Sequence, residues 1–373
     1  MADTHLGYSA YRKINKDGVN QRELDIYNSF IEIIDYAIKT KPDIIVHSGD
    51  LFDSVRPTNR AIMVALQQIL RLSKATIPFV IISGNHETPK LKETGCIFTI
   101  FDHLPYVYPV YSNKYEVINL KINNQKICIH AIPHCQTKQI FNTNLKKIKL
   151  DKNSKYNVLM LHGAVKAIKE FKMNEFNELI IPIESFTKEF DYIALGHYHN
   201  FTKVAQNTYY AGSSERLSFA EAGICKGIIE VELSSKNKFS FKEIKTRPMI
   251  DTKPIDCHNL DNEHITKKII ETIKEIQPNE KIFRLKLVNI SAHLYRSIDM
   301  HEIKKHCIGS IHFEIKFDIF KEGKQIIDGD YQIRSIANEF QKYIHEKNIK
   351  EKDIILPLGL KYIQKNEVKD EAK

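Results

Sequence analysis

The chain has 373 residues, of which 42% are hydrophobic, and it carries a formal net charge of +9 at pH 7. This composition is that of an ordinary globular protein, and no apolar run approaches the roughly 18 residues of a membrane span. The positive charge suits an anionic partner such as nucleic acid, although a composition rich in Lys, Ile and Asn produces the same balance without one.

The six cysteines are scattered along the chain, and none forms a C-x-x-C pair. The sequence therefore predicts neither a structural zinc site nor a disulfide framework. The first residues, MADTHLG, lack the apolar stretch of a signal peptide, so we expect a cytoplasmic protein.

Apolar residues at helical spacing predict two amphipathic helices early in the chain. They cover Arg22–Lys39 and Pro57–Lys74, and the proline would lie in the first turn of its helix. A third, short helix is expected around Gly95–Leu104. Alternating patterns then predict short strands, which include Tyr115–Leu120 and Lys126–Ile132.

The character of the sequence changes near Thr246-Arg247-Pro248. Beyond this point the pattern predicts a small α+β unit, with helices at 262–276 and 297–307 and strands at 282–288 and 311–317. We therefore predict three parts, which are a larger α/β domain at 1–245, a small α+β cap domain at 246–328 and a helical tail at 329–373.

Polar side chains follow four predicted buried strands, and a fifth group lies near the start of the chain. In chain order they are Asp3 and His5, then Asp50, then Asn85 and His86, then His162, and finally His197 and His199. Because ligands bind at the carboxyl ends of strands in open α/β sheets, we expect these side chains to converge.

Carboxylate, imidazole and amide donors without a thiolate favour Mn²⁺ or Fe²⁺, with Zn²⁺ or Mg²⁺ also possible. Two such ions about 3.5–4 Å apart can clamp the attacking and leaving oxygens of an in-line displacement, and they lower the pKa of a bound water. Asp50 is placed to bridge both ions. The predicted reaction is therefore hydrolysis of a phosphate ester.

The order and spelling of the motifs resemble the calcineurin-like metallophosphoesterase superfamily and, more closely, the SbcD-type nucleases of DNA double-strand-break repair. The segments that carry this resemblance are ADTHLG (2–7), HSGDLFD (47–53), SGNHE (83–87), LGHYH (195–199), AGSSERLSFAE (211–221) and TRP (246–248). The resemblance is good over about residues 1–250. It implies an α/β fold in which a two-sheet sandwich flanked by helices is followed by a small α+β cap domain and a helical C-terminal tail.

The resemblance also implies a Mn²⁺-dependent 3′→5′ exonuclease and single-strand endonuclease that acts on DNA, in the cytoplasm or on the nucleoid. It assigns the first metal to Asp3, His5, Asp50 and His199. It assigns the second metal to Asp50, Asn85, His162 and His197. His86 matches the catalytic histidine of the family, with a role in stabilising the transition state and protonating the leaving 3′ oxygen.

Two assignments have alternatives. Asp53 is either a plain turn or helix-cap residue, or a partner that keeps His86 protonated. The family has an apolar strand before its first Asp, whereas only Met1 and Ala2 precede Asp3 here. Asp3 and His5 are therefore either ligands or part of a frayed terminus.

Two surfaces can be predicted, each with a plain alternative. Basic residues near the first motifs are either phosphate contacts or solvated loop charges; they are Arg12, Lys13, Lys16, Arg22, Arg56 and Arg60. Apolar stripes on two helices either pack in the core of the subunit or form the two-fold four-helix bundle of a homodimer that the resemblance implies; they are Ile62, Leu66, Ile69, Ile97, Ile100 and Phe101.

The end of the chain carries a further apolar face at helical spacing, formed by Ile333, Ile336, Phe340, Tyr343 and Ile344. In the apolar segment 354–363 that follows, Pro357 and Gly359 are expected to limit any helix to the later part. These elements either fold back on the protein or dock on another chain. The resemblance indicates an SbcC-like ABC ATPase with a long coiled coil as that partner.

Two other functions fit the same donor set. One is a phosphoprotein phosphatase or cyclic-nucleotide phosphodiesterase, against which the ER-x-SF-x-E spelling and the C-terminal units argue. The other is a non-catalytic scaffold, which usually shows lost ligands.

Overall fold

The computed structural model describes residues 1–91, 94–165, 179–182, 189–234, 238–319, 340, 344 and 352–360. The chain divides into two compact units, Met1–Phe320 and Lys321–Lys373. Within the described ranges, no helix is both long and apolar enough to span a bilayer.

The first two helices begin at side-chain caps. α1 spans Gln21–Thr40, and the Asn20 side chain accepts two backbone N–H groups of its first turn. α2 spans Asn59–Lys74, and Thr58 caps it. Pro57 lies before this cap, so its predicted place in the first turn is wrong, because the Thr58 hydroxyl sets the start of the helix.

The first sheet contains three parallel strands, β1 (Ile45–His47), β2 (Phe79–Ile82) and β3 (Val107–Val110), in that order. Where a helix over 95–104 was predicted, the structure has a single 3₁₀ segment at Ile97–Phe101. Buried side chains of α1, α2 and this segment form one core with the outer face of the sheet.

The second sheet has six strands in the spatial order β10–β11–β9–β6–β5–β4. In chain order the strands are β4 (Glu116–Ile122), β5 (Gln125–Ile132), β6 (Tyr156–His162), β7 (Ala164–Val165), β8 (Ile180–Ile181), β9 (Tyr192–Gly196), β10 (Thr202–Ala205) and β11 (Thr208–Tyr210). Helix α3 (Lys138–Leu145) joins β5 to β6, and β7 pairs only with β8 among the described strands.

The two sheets pack face to face. Val80 and Ile82 of β2 lie in the same buried cluster as Ile129, Met160 and Ala194 of the second sheet. A hairpin of β12 (Gly227–Glu232) and β13 (Lys238–Glu243) adds partly buried side chains to this core. The predicted two-sheet sandwich is therefore confirmed.

A small α+β unit follows. Its parallel sheet has the order β14 (Met249–Asp256), β15 (Ile282–Ile290), β16 (His312–Ile319), and α4 (Asn262–Ile276) packs on it. The single helix predicted over 297–307 is wrong. The chain forms α5 (Ala292–Ser297) and α6 (Met300–His306), because Asp299 accepts two N–H groups and starts a new helix.

Residues 352–360 are helical, and this run includes Pro357 and Gly359. The prediction that these two residues limit the helix to the later part of the segment is therefore wrong. Phe340 and Ile344 are also helical, and a Cβ on Gly359 would lie 2.3 Å from the Phe340 ring. Ile333, Ile336 and Tyr343 lie outside the described residues.

Candidate metal centre

The first six residues run beside the chain that leaves β1. The N–H of Asp3 donates to the Gly49 carbonyl at 2.9 Å, and the N–H of His5 donates to the Asp50 carbonyl at 3.0 Å. Both side chains are buried. This pairing holds Asp3 and His5 in place, so the alternative of a frayed terminus is wrong.

Glycines let three loops approach one another closely. A Cβ on Gly84 would lie 2.0 Å from Oδ1 of Asp50, and a Cβ on Gly196 would lie 2.0 Å from the Ser48 carbonyl oxygen. Any side chain at either position would therefore push the loops after β1, β2 and β9 apart.

Other constraints hold the same loops. Asp50 and His197 have φ of 54° and 101°, which are strained values for residues with a side chain. The buried Glu87 carboxylate accepts from the N–H of Phe52 at 2.6 Å and of Gly84 at 2.9 Å. Burial, and after it the charge of Asp50, raises the pKa of Glu87 to about 8.

The first donor cluster contains Asp3, His5 and His199, with ligand atoms that lie within 4.8 Å of one another. Nε2 of His5 faces Nε2 of His199 at 3.2 Å. Nδ1 of His5 lies 3.2 Å from the Asp53 carboxylate, and Nδ1 of His199 lies 3.1 Å from the Glu221 carboxylate. Because ionised carboxylates only accept hydrogen bonds, both Nδ1 atoms carry the proton.

The second donor cluster contains Asp50, His162 and His197, again within 4.8 Å. Asn85 Oδ1 lies 2.9 Å from Nε2 of His162 and 3.1 Å from Nδ1 of His197. Nε2 of His162 is also 3.2 Å from Asp50, while its Nδ1 donates to the Ser48 carbonyl at 2.7 Å.

This arrangement fits bound cations. When Nδ1 carries the only ring proton, the Nε2 lone pairs of His5 and His199 point at each other. In the same state, the Nε2 lone pair of His162 points at the oxygens of Asn85 and Asp50. Such contacts repel unless a proton or a metal ion lies between them. In addition, Oδ2 of Asp3 is buried and accepts no hydrogen bond from the described residues.

The ionisable groups of the second cluster shift one another's pKa values. Burial alone would lower the pKa of His162, but the Asp50 carboxylate raises it to about 9. Burial, and after it the neighbouring His162, lowers the pKa of His197 to about 3, so this imidazole is neutral near pH 7.

His86 lies beside the first cluster and is only partly buried. Its ring centroid is 4.6 Å from that of His5, in an edge-to-face contact. Nδ1 of His86 donates to the backbone carbonyl of Asp53 at 2.8 Å. The Asp53 carboxylate hydrogen-bonds His5, whereas the main chain of Asp53 hydrogen-bonds His86. A carboxylate oxygen of Asp53 nevertheless lies within 4.8 Å of a ring nitrogen of His86. Burial lowers the pKa of His86, but the Asp50 charge, the Asp53 carbonyl and the Asp53 charge raise it, so the alternative in which Asp53 keeps His86 protonated stays a prediction.

The basic residues fall into two groups. Arg12, Lys13, Lys16 and Arg56 are exposed, and Arg60 is half-exposed and 3.2 Å from Glu23. Arg22 is wrong as a DNA contact, because its buried guanidinium donates to Asp25 at 2.7 Å and lies 3.6 Å from Glu215.

The apolar stripes also divide. Ile69 and Phe101 have no exposed surface, so they belong to the subunit core and their predicted place in a dimer interface is wrong. Ile62, Leu66, Ile97 and Ile100 pack against the same core but remain partly exposed.

Sequence reasoning missed the residues that hold the donors, above all Glu87 and Glu221. Glu87 is the last letter of SGNHE, and Glu221 is the last letter of GSSERLSFAE. Both motifs were recognised in the sequence, so the two glutamates could have been named as candidates. The neighbouring residues, however, do not indicate which backbone N–H or histidine ring each carboxylate contacts.

The two-sheet sandwich and the paired donor clusters define a metal-dependent phosphoesterase. The family model described as calcineurin-like phosphoesterase matches residues 1–201. The chain is similar to the DNA double-strand break repair protein Mre11 of Methanococcus maripaludis, with 32% identity over 75% of this chain and 74% of that protein. The Mre11 protein of Saccharolobus solfataricus is 34% identical over 56% of this chain and 50% of its own length.

The chain therefore belongs to the calcineurin-like phosphoesterase family and, within it, to the group of the archaeal Mre11 proteins. Members of this family use divalent metals, and the two donor clusters are the candidate sites.

Proposed function

We propose that this chain is a two-metal DNA nuclease, a 3′→5′ exonuclease and single-strand endonuclease that processes DNA ends in double-strand-break repair. The observation that carries the proposal is the convergence of two donor clusters at the carboxyl ends of strands from both sheets, with Nδ1 of His5, His162 and His199 each held by an acceptor. The names of the relatives, which are DNA double-strand break repair proteins, supply the substrate.

In this proposal, Asp3, His5, Asp50 and His199 would hold one ion, and Asp50, Asn85, His162 and His197 would hold the other. The mixture of carboxylate, imidazole and amide donors suits Mn²⁺. When bound, such ions supply a hydroxide nucleophile near neutral pH and stabilise the charge on the leaving oxygen.

The role proposed for His86 follows from its fixed ring. Because Nδ1 donates to the Asp53 carbonyl, Nε2 is the nitrogen available to a substrate. The partly buried ring lies beside the first cluster, where it can hydrogen-bond a phosphate oxygen and pass a proton to the leaving 3′ oxygen. Burial alone would lower the pKa of His86, but the Asp50 charge and this carbonyl raise it, which favours the proton donor.

The DNA would be held through its phosphates. The exposed side chains Arg12, Lys13, Lys16 and Arg56, with the half-exposed Arg60, precede or follow the segments that carry the first donors. Contacts of this kind position the backbone and carry no sequence information, which suits an enzyme that acts at ends.

The proposed assembly has two further parts. The exposed face of α2 would form a homodimer interface, supported by Met63 and Leu70, which are 52% and 37% exposed beside Leu66. The C-terminal unit would dock an SbcC-like ABC ATPase, a proposal that rests on the family resemblance alone.

The test compares two substrates under one set of conditions. The protein is incubated with Mn²⁺ and either end-labelled linear DNA or p-nitrophenyl phosphate, with EDTA as the control. We expect degradation of DNA from its 3′ ends, and none with EDTA. Turnover of p-nitrophenyl phosphate without any DNA cleavage would instead support the phosphatase alternative. Two bound ions with neither activity would support the scaffold.

A further inference from the structure

A buried lysine stands behind the first donor cluster. Lys226 is 1% exposed, and its Nζ donates to the His199 carbonyl at 2.7 Å, to Ser213 Oγ at 3.0 Å and to Glu221 Oε2 at 2.5 Å. Lysine is almost never fully buried unless its charge is paired. A buried ion pair is also weak evidence for stability, since apolar residues often replace one without loss. The pair therefore calls for a role other than packing.

The Glu221 carboxylate connects this lysine to a predicted ligand. Its Oε1 accepts from Nδ1 of His199 at 3.1 Å, and its Oε2 accepts from Lys226 and from the N–H of Leu217 at 3.3 Å. The carboxylate is buried and has partners on both oxygens, so it cannot turn away from the histidine.

We propose that Glu221, held in place by Lys226, is a positioning residue that fixes the tautomer and orientation of His199 and thereby sets the affinity of the first metal site. The inference rests on the two-metal function proposed above. An anchored carboxylate on Nδ1 keeps the proton there, which leaves the Nε2 lone pair directed at Asp3 and His5. It also makes the imidazole a stronger ligand, as carboxylate partners of metal-binding histidines do.

The substitution Glu221→Gln has a specific consequence. An amide has one acceptor oxygen, and the Lys226 ammonium would take it, so the NH₂ group would face Nδ1 of His199. The histidine would then shift its proton to Nε2 and lose the lone pair that binds metal. In Glu221→Gln with Lys226→Met, the amide oxygen is free to turn back to Nδ1, so part of the affinity should return.

The matched control is Glu215→Gln in the same loop. Glu215 is equally buried and accepts the backbone N–H groups of Arg216 at 2.7 Å and Arg247 at 2.9 Å. This variant removes a buried carboxylate without changing the partner of His199. We expect it to lower the melting temperature and to leave both metal affinities at the wild-type value.

The experiment titrates Mn²⁺ into the full-length wild type and the variants by calorimetry, and it reads the His199 tautomer from ¹⁵N shifts of the metal-free protein. We expect Glu221→Gln to weaken one of two sites by about 10–100-fold, to spare the other, and to move the His199 proton to Nε2. Wild-type affinity with an unchanged tautomer in Glu221→Gln would overturn the inference. So would an equal loss of affinity in Glu215→Gln.

The two proposals can fail separately. If the wild type binds fewer than two ions, the two-metal function fails. The tautomer of His199 in the metal-free Glu221→Gln protein then still decides whether Glu221 is a positioning residue, since an unchanged Nδ1–H form would refute it.

Discussion

In three histidines of the centre, the Nδ1 atom is hydrogen-bonded to an acceptor from a different part of the chain. His5 uses the Asp53 carboxylate, His162 the Ser48 carbonyl and His199 the Glu221 carboxylate. A free imidazole exchanges its proton between two nitrogens, so each contact removes one of the two ring states. The donors are therefore arranged before a cation binds, which reduces the ordering that binding must otherwise cause.

At the residue scale, the first prediction concerns His86. His86→Ala should lower the rate of DNA cleavage by about 10²–10⁴-fold, the usual contribution of one general acid or base. Two Mn²⁺ ions should still bind, because His86 is not among the proposed ligands. Single-turnover cleavage and calorimetry measure the two quantities.

The control for this prediction is His103→Ala, which removes an exposed histidine outside the site. Near-normal turnover in His86→Ala, with contaminating nucleases excluded, would remove His86 from the mechanism. Loss of a metal ion would make it a ligand.

At the scale of elements, the strand ends and the loops between them make the site, while side chains on helices and sheet faces make the surfaces. In the parallel sheet of the small α+β unit, Asp251 of β14 accepts two hydrogen bonds from Arg284 of β15, at 3.0 and 2.7 Å. Lys286 adds a contact at 2.6 Å. These partners, with Arg284 first, lower the pKa of Asp251.

The second prediction follows from this lowered pKa. A carboxylate with a depressed pKa in the folded state stabilises the fold above its unfolded pKa and loses that effect as the pH falls. Asp251→Asn should therefore lower the free energy of unfolding at pH 7 by about 1 kcal/mol. The difference should shrink below about pH 3.9, the ordinary value for aspartate, as the native group titrates.

Urea unfolding of both proteins at several pH values measures the effect. Asp318→Asn, at an exposed position of β16, is the control and should change stability little at any pH. A stability difference for Asp251→Asn that persists unchanged at pH 2 would show that packing, and not charge, is responsible.

The third prediction concerns the proposed dimer. Met63→Asp and Leu70→Asp should give folded monomers, because the single subunit leaves 52% of Met63 and 37% of Leu70 exposed, enough for a charge to reach solvent. Ile69→Asp on the same helix should fail to fold, since it places a charge in the core. Light scattering after size exclusion and circular dichroism distinguish these outcomes.

Val117→Asp is the matched control, because Val117 is 44% exposed on the edge strand β4. It should leave the wild-type oligomeric state unchanged. A dimer that survives both α2 substitutions would move the interface elsewhere, and a monomeric wild type at micromolar concentration would end the proposal.

At the scale of the whole molecule, Arg247 joins parts that lie far apart in the chain. Its guanidinium donates to Asp25 of α1 at 2.8 and 2.6 Å and to Glu280 of the cap unit at 2.7 Å, and its N–H donates to Glu215. Phe219 lies in an apolar cluster with Met249, Ile282 and Ile311. The loop that carries Glu221 therefore also packs against the small α+β unit that follows it in the chain.

The fourth prediction concerns the second compact unit. A chain that ends at Phe320 should keep its fold and the proposed Mn²⁺-dependent nuclease activity, because the first unit contains every proposed ligand. It should no longer co-purify with the proposed SbcC-like ATPase partner. Pull-down with the full-length chain as the reference measures binding, and retained binding would place the dock elsewhere.

The two-sheet sandwich was inferred from the resemblance of the motifs to a known family. The residues by themselves indicated the strand ends and the candidate donors that follow them. These features depend on local patterns, since a buried strand followed by Gly-Asp or Gly-Asn-His places its polar side chains at a sheet edge wherever it occurs. Helix α4 was predicted at its observed bounds for the same reason, because its apolar period and its Asp261 cap are both local.

Only the tertiary structure decided which group faces which. Asp53 is 48 residues from His5 and 33 from His86. Its carboxylate is hydrogen-bonded to His5, and its backbone carbonyl is hydrogen-bonded to His86. Arg22 looked like a surface charge until Glu215, more than 190 residues away, was brought beside it. Such pairings depend on contacts between distant segments, and no local period or propensity encodes them.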